Sequence, residues 1–193
     1  LSIDSAMAVV SFNKDGVKYE RTYFASYPDS AMVWKFTADQ PGKQNLTFSY
    51  KGNPEAEGKI VADGDKGLLY TGKLKNNGME FALRIQAQHK GGNVKATADG
   101  KLVTQGADEV IFILTADTDY KINFDPDFKD PKAYVGVNPV ATTAAMMKAA
   151  TARSYDELKA RHQEDYLSLF NRVKISLNPN APMTLEYPSI YDL

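Results

Sequence analysis

From Ala6 to about Tyr120, short runs of alternating apolar and polar residues are separated by turn sequences, and this punctuation constrains the fold more than any other feature. The strongest turns are Asp15-Gly16, Asn77-Gly78 and Asp99-Gly100, whose residue types accept the positive φ angles of tight hairpins. We count roughly ten strand-like runs at the spacing typical of sandwiches, with no gap long enough for a crossover helix. The pattern predicts an antiparallel β-sandwich and a mainly β fold.

Two of these runs predict how the sheet is buried. Between Met79 and Gln88, apolar residues alternate with polar ones, which predicts a strand with one dry face and one solvated face. Every residue from Val110 to Leu114 is apolar, which predicts a central strand buried on both faces.

The pattern becomes helical after Asp119. Asn138 followed by Pro139 predicts the start of a first helix that runs to about Ala152. Ser154 and Glu157 have the spacing of a capping box, which predicts the start of a second helix. An apolar stripe on that helix is expected to pack inward, and it consists of Tyr155, Leu158, His162, Tyr166, Leu169 and Val173. Arg161, Gln163 and Glu164 are expected to face away from it.

These patterns divide the chain into three predicted parts. Residues 1–124 form the sandwich, residues 125–177 form a short α-helical linker with a possible return strand at 174–177, and residues 178–193 form an extended connector. The chain starts near a strand and stops in this proline-containing connector, so we expect it to be a piece of a larger protein.

Composition excludes several classes of function. Lys and Arg total 23 against 24 Asp and Glu, for a net charge of −1, which argues against a nucleic-acid partner. No apolar run has the length of a membrane span. The absence of cysteine excludes disulfides, thiol nucleophiles and cysteine zinc sites.

The side chains that could do chemistry favour structural interpretations. Asp29 and most other carboxylates lie at turns, and the acidic cluster of Asp125, Asp127 and Asp130 is interpreted as a polar loop because it lacks the glycine and final glutamate of a calcium loop. His89 is expected in a solvated loop, and His162 is expected to hold its helix in place. The sequence contains neither a GxSxG elbow nor a phosphate-binding glycine loop. We therefore predict no catalytic, cofactor or metal residue.

Aromatic residues leave a second function open. Trp34 and the eleven tyrosines could line a sugar-binding groove, although a core position is favoured for Trp34 because it lies on a well-patterned strand. The alternative function is therefore a free-standing carbohydrate-binding or adhesion module.

Longer motifs resemble a known family. Residues 16–29 read GVKYERTYFASYPD, and a second group comprises Ser154-Tyr155-Asp156-Glu157-Leu158, Arg161-His162 and the segment from Asp165 to Val173. These segments are similar to those of glycoside hydrolase family 95, and the resemblance runs from Leu1 to about Leu177.

The resemblance implies a multidomain enzyme, chiefly of the α-L-fucosidase type with some α-L-galactosidases. It implies an N-terminal β-supersandwich, a helical linker and an (α/α)6 barrel that carries the catalytic residues. This chain matches only the later part of that sandwich and the linker, so residues 1–124 would be a partial N-terminal domain and the chain would be non-catalytic. It also implies that the linker helix docks the sandwich to the barrel. The residues assigned to docking are His162, Asp165, Tyr166, Leu169 and Phe170.

The implied partners are the chain's own barrel and, through the parent enzyme, an oligosaccharide. The implied location is periplasmic or secreted, with any signal peptide upstream of Leu1.

Overall fold

The computed structural model describes residues 1–125, 129–130 and 132–173. Three predicted features lie outside the described residues: Asp127 of the acidic loop, the possible return strand at 174–177 and the connector at 178–193. The described chain forms three layers, which are a small sheet, a large sheet and a pair of helices.

Ten antiparallel strands form the two sheets in the described part of the chain. They are β1 Ala8–Lys14, β2 Val17–Ser26, β3 Ala31–Ala38, β4 Gln44–Ser49, β5 Ala56–Ala62, β6 Gly67–Leu74, β7 Glu80–Lys90, β8 Asn93–Ala96, β9 Lys101–Ala107 and β10 Glu109–Thr118. The large sheet has the order β1-β2-β3-β10-β7-β6-β5, and the small sheet has the order β4-β9-β8. The predicted antiparallel β-sandwich with a helical segment after it is confirmed.

The first hairpin shows how local sequence sets the register. Asp15 and Gly16 have φ angles of 51° and 74°, which suit a two-residue turn between right-twisted strands. Lys14 then pairs with Val17, and Ala8 pairs with Tyr23. The turns at Asn77-Gly78 and Asp99-Gly100 also join the strand pairs that the sequence predicts.

Strand β10 separates two hydrophobic cores. It lies between β3 and β7, and its apolar residues are buried on both faces as predicted. Val110 and Phe112 pack between the two sheets, whereas Ile111 and Ile113 pack toward the helices. The large sheet is therefore buried on both sides at its centre.

Helix α1, Pro139–Thr151, covers part of the face of β7 that the sequence predicts to be solvated. On that face Arg84 donates to the carbonyl oxygen of Val140 at 3.4 Å, and Gln88 donates to that of Thr151 at 3.5 Å. The prediction is wrong at these positions because long polar side chains can lie under a helix when they hydrogen-bond to its carbonyl groups.

Candidate docking surface on the C-terminal helix

Helix α2, Tyr155–Phe170, begins at the predicted capping box. The Ser154 Oγ accepts a hydrogen bond from the Glu157 amide at 3.2 Å, and Glu157 Oε2 accepts one from the Ser154 amide at 2.7 Å. The hydrogen bond from the Ser154 backbone is the main reason that the pKa of Glu157 is lowered. The cap fixes where α2 starts and therefore which of its faces meets the sheet.

The inner face of α2 carries three stacked aromatic rings, and a fourth ring from β2 continues the stack. Leu158 is fully buried and His162 is 5% exposed. Four rings follow one another along this face with centroid distances of 5.0, 6.4 and 5.1 Å. We call this stack the aromatic ladder; it consists of Phe24, His162, Tyr166 and Phe170.

Two members of the aromatic ladder also hold the N-terminal segment. The Nε2 of His162 lies 3.1 Å from the carbonyl oxygen of Ala6, and because a carbonyl oxygen only accepts, this nitrogen carries the proton. The Tyr166 hydroxyl donates to the carbonyl oxygen of Ile3 at 2.7 Å. Through this contact His162 holds α2 against the N-terminal segment.

A buried carboxylate fixes the flank of α2. Asp29, in the turn after β2, has a side chain that is 1% exposed. It accepts hydrogen bonds from the Ser26 hydroxyl at 2.6 Å and from Arg161 Nε at 2.9 Å, while Arg153 Nε lies 3.7 Å away. Asp29 therefore binds the helix in addition to its predicted place in a turn.

Two of the three α2 residues predicted to face away contact the sandwich instead. Arg161 reaches Asp29, and Gln163 donates to the sulfur of Met7 at 3.5 Å. The prediction was wrong for them because the apolar stripe marks only the centre of the contact, whereas polar partners widen it on both sides. Glu164 is exposed as expected.

The two motif groups noted in the sequence meet in space at this contact. Phe24 stacks on His162, and Asp29 pairs with Arg161, although 132 positions separate the members of the second pair. The FASYPD segment and the start of the RHxxDY segment therefore build the contact between the sandwich and α2.

Beyond this contact the end of α2 is apolar and open. Leu169 is 58% exposed, Phe170 is 36% exposed and Val173, just past the helix, is 68% exposed. We call these three residues the helix-end patch. Leu169 is expected to bury against either the sandwich or the barrel, and within the described part of the chain the sandwich does not cover it. Asp165, the remaining residue assigned to docking, is half-buried next to Pro28.

The other candidate residues occupy structural positions. His89 lies in β7 rather than in the predicted loop, and its Nδ1 is 2.9 Å from the carbonyl oxygen of Gly91. Trp34 packs against Tyr23 and Phe48 at the edge of the core between the sheets. Asp125 and Asp130 are exposed, and no cluster of metal-binding side chains occurs among the described residues.

Neither α1 nor α2, the helices of the described ranges, is long and apolar enough to cross a membrane.

Comparison with known proteins identifies the family to which this chain is similar. A family model described as "Glycosyl hydrolase family 65, N-terminal domain" matches residues 1–123. That range contains all ten strands of the sandwich.

Two curated relatives are similar over 94% of this chain. Alpha-L-fucosidase 2 of Arabidopsis thaliana is 27% identical over 202 residues, and a probable alpha-fucosidase A of Aspergillus niger is 26% identical over 191 residues. The chain spans 23% of the length of each relative.

A solved structure described as a putative kojibiose phosphorylase from the human microbiome has the same fold over 88% of this chain and 24% of its own. The TM-score is 0.56 and the sequence identity is 11%.

Proposed function

The chain belongs to the glycosyl hydrolase family 65 N-terminal domain family, and from this premise we propose that it is the non-catalytic sandwich and linker of a larger glycoside hydrolase. The proposed enzyme removes terminal α-L-fucose, or an α-galactosyl-type residue, from oligosaccharides. The names of the two relatives support the fucosidase assignment, and the motifs quoted above support placement in family 95. Export to the periplasm or the cell exterior is part of the same proposal.

The observation that carries the proposed role is the helix-end patch. Three apolar side chains are exposed where α2 ends, because the helix extends past the surface that holds its earlier turns through the stack of Phe24 on His162 and through Asp29. An apolar patch beside a rigid polar contact is typical of a surface that packs against another domain. We infer that the patch docks on the enzyme's own (α/α)6 barrel and that α2 sets the barrel's orientation.

A comparison of two lengths of the protein tests this function. We expect this chain to release neither fucose nor galactose from small oligosaccharides and a version extended through the downstream region to release one of them. Release by the short chain would overturn the non-catalytic role, and release by neither version would overturn the glycosidase assignment.

A substitution in the extended protein tests the docking role. Leu169→Asp puts a charge into the proposed interface, so we expect the activity of the extended protein to fall by at least about tenfold while its sandwich stays folded. Ala160→Asp places the same charge on an exposed position of the same helix and is the matched control. Equal activity in the two variants would remove the helix-end patch from the interface.

A further inference from the structure

A cleft lies on the sandwich, away from α2. It has a volume of about 280 Å³ and lies between the β6–β7 turn and the segment that follows β10. Its lining consists of Asn77, Gly78, Met79, Asp119, Tyr120, Tyr134 and Val135. This volume is just below the usual range for sites that hold drug-sized molecules, so the cleft suits a single small ring.

The cleft presents an exposed pair of aromatic rings. Tyr120 is 54% exposed and Tyr134 is 39% exposed, and their rings stack at 5.9 Å with an angle of 11° between them. Neither hydroxyl has a hydrogen-bond partner among the described residues. Such a pair offers a flat apolar surface, and at its rim are two hydroxyls that no described side chain or backbone group binds.

The ring pair is not needed to hold the segment in place, because backbone bonds already do so. Tyr120 and Val135 form an isolated antiparallel bridge. The Lys121 amide donates to the carbonyl oxygen of Tyr134 at 2.7 Å, and the Gly136 amide donates to that of Asp119 at 2.5 Å. These backbone bonds close the segment together with the Asn123 side chain, which donates to the carbonyl oxygen of Ala133 at 3.1 Å. The exposed tyrosine faces therefore remain for another use.

Two further side chains provide hydrogen-bonding groups whose orientation is fixed. Asn77 Oδ1 accepts from the Met79 amide at 3.0 Å, which leaves the amide NH₂ of Asn77 free to donate. Asp119 Oδ1 accepts from the Glu80 amide at 3.0 Å, which leaves its other oxygen free to accept. Among the described residues no Lys, Arg or His lines the cleft, so these residues favour a neutral ligand over an anionic one.

We propose that this cleft is a binding subsite for one neutral pyranose unit of a glycan. A pyranose has a face of C–H groups that can lie on an aromatic ring and a rim of hydroxyls that can pair with an amide donor and a carboxylate acceptor. The cleft combines these partners in a space of matching size. The inference rests on the proposed function only in its choice of a glycan as the ligand. It gives the sandwich a glycan-binding site that lies outside any catalytic centre.

Titration of the ¹⁵N-labelled chain with methyl glycosides of L-fucose, D-galactose and D-glucose tests the subsite by NMR. We expect saturable shifts with at least one sugar, confined to amides of residues 77–79, 119–120 and 134–135, with a Kd on the order of 1–10 mM. An absence of saturable shifts with all three sugars, or shifts located elsewhere, would overturn the proposal.

Three variants separate sugar binding from loop structure. Tyr120→Ala should weaken binding by up to about tenfold because the stacking surface is lost. Tyr27→Ala is the matched control, since Tyr27 is 84% exposed on the β2–β3 turn, and its affinity should be unchanged. Asn77→Asp keeps the acceptor for the Met79 amide and replaces the NH₂ donor with a charged oxygen that can only accept, so it should weaken binding severalfold without moving the turn. Unchanged affinity in both cleft variants would overturn the subsite.

The outcome is independent of the two-length activity experiment. An active extended protein whose sandwich binds no sugar would leave the proposed function standing and remove the subsite. A sandwich that binds sugar beside an inactive extended protein would keep the subsite and remove the glycosidase assignment.

Discussion

The carboxylate of Asp29 is almost fully buried, and hydrogen-bond partners replace the water that it has lost. Ser26 and Arg161 donate to it at 2.6 and 2.9 Å, and Arg153 lies close by. Both arginines keep access to solvent, so the pairing gains less than a fully buried one would.

We expect Asp29→Ala to lower the free energy of unfolding by about 2 kcal/mol, because the Ser26 hydroxyl and Arg161 lose their acceptor. Urea denaturation measures the change. Glu164→Ala removes an exposed carboxylate from α2 and should stay within about 0.5 kcal/mol of the wild type. If the two variants are equally stable, the Asp29 contacts contribute nothing to the fold.

Glu109 makes part of the stability depend on pH. Burial raises the pKa of this carboxyl group, but hydrogen bonds from Lys35 and Lys90 outweigh that effect and hold the pKa below its ordinary value of 4.5. A lowered folded-state pKa means that the contribution is complete above the ordinary value and is lost as pH falls through the folded-state value. The relevant window therefore lies below pH 4.5.

We expect Glu109→Gln to be less stable than the wild type at pH 7 and the difference to shrink as pH falls below 4.5, because acid protonates the wild-type carboxylate. Urea unfolding at several pH values measures this. A difference that stays constant or grows in acid would contradict the assignment of these ion pairs.

Some contacts of single residues could be predicted from the sequence and others could not. The pairing of Ser154 with Glu157 could be predicted because a cap is local and its two partners are three positions apart. The contact of Asp29 with Arg161 could not, because an ion pair across 132 positions leaves no periodic signal in one sequence. The spacing of His162, Tyr166 and Leu169 already predicts that they share one helix face, but their assignment to docking rests on the family motifs alone.

At the scale of elements, helix α2 has a buried half and an open half. Leu158 is fully buried against the sheet, whereas Leu169, three turns later, is 58% exposed. The helix thus extends past the surface that supports it.

We expect Leu158→Ala to destabilise this chain by about 2–5 kcal/mol because it leaves a cavity in a closed core. Leu169→Ala removes the same atoms from an open position and should change stability by no more than about 0.5 kcal/mol. Thermal unfolding of both variants checks the pair. A large loss at Leu169 would mean that the end of α2 is already covered in this chain.

The strands could be predicted well because their signals are local. Asp15-Gly16 and the alternation beside it specify turn and register together. The packing of α1 over the sheet could not be predicted, because the buried residues of this helix include Thr143 and Ala150, which are only weakly apolar. The face of β7 under α1 therefore reads as solvated in the sequence.

For the whole molecule, the N-terminal segment is held by the last described helix. Tyr166 and His162 bind the carbonyl groups of Ile3 and Ala6, and Met7 lies in the core beneath the helices. The fold therefore depends on contacts between the two ends of the described chain as well as on the pairing of strands.

We expect Tyr166→Phe to speed hydrogen exchange at the amides of Ser2 and Met7, which pair with each other beside Ile3. The loss of one hydrogen bond, worth about 0.5–1.5 kcal/mol, should make local opening several times more frequent. Tyr27→Phe is the control, since its ring is 84% exposed. Equal exchange in both variants would show that Tyr166 does not anchor this segment.

The bond between Tyr166 and Ile3 also has a consequence in time. Its partners are 163 positions apart, and a ribosome adds roughly 5–20 residues per second, so Ile3 is made roughly 10–30 s before Tyr166. During that interval Phe24 lacks the His162 ring that stacks on it, and the part of the sheet that α2 covers is open. Until α2 is synthesised, the apolar residues on this face of a nascent chain must be covered in another way, either by early collapse of the chain or by a chaperone.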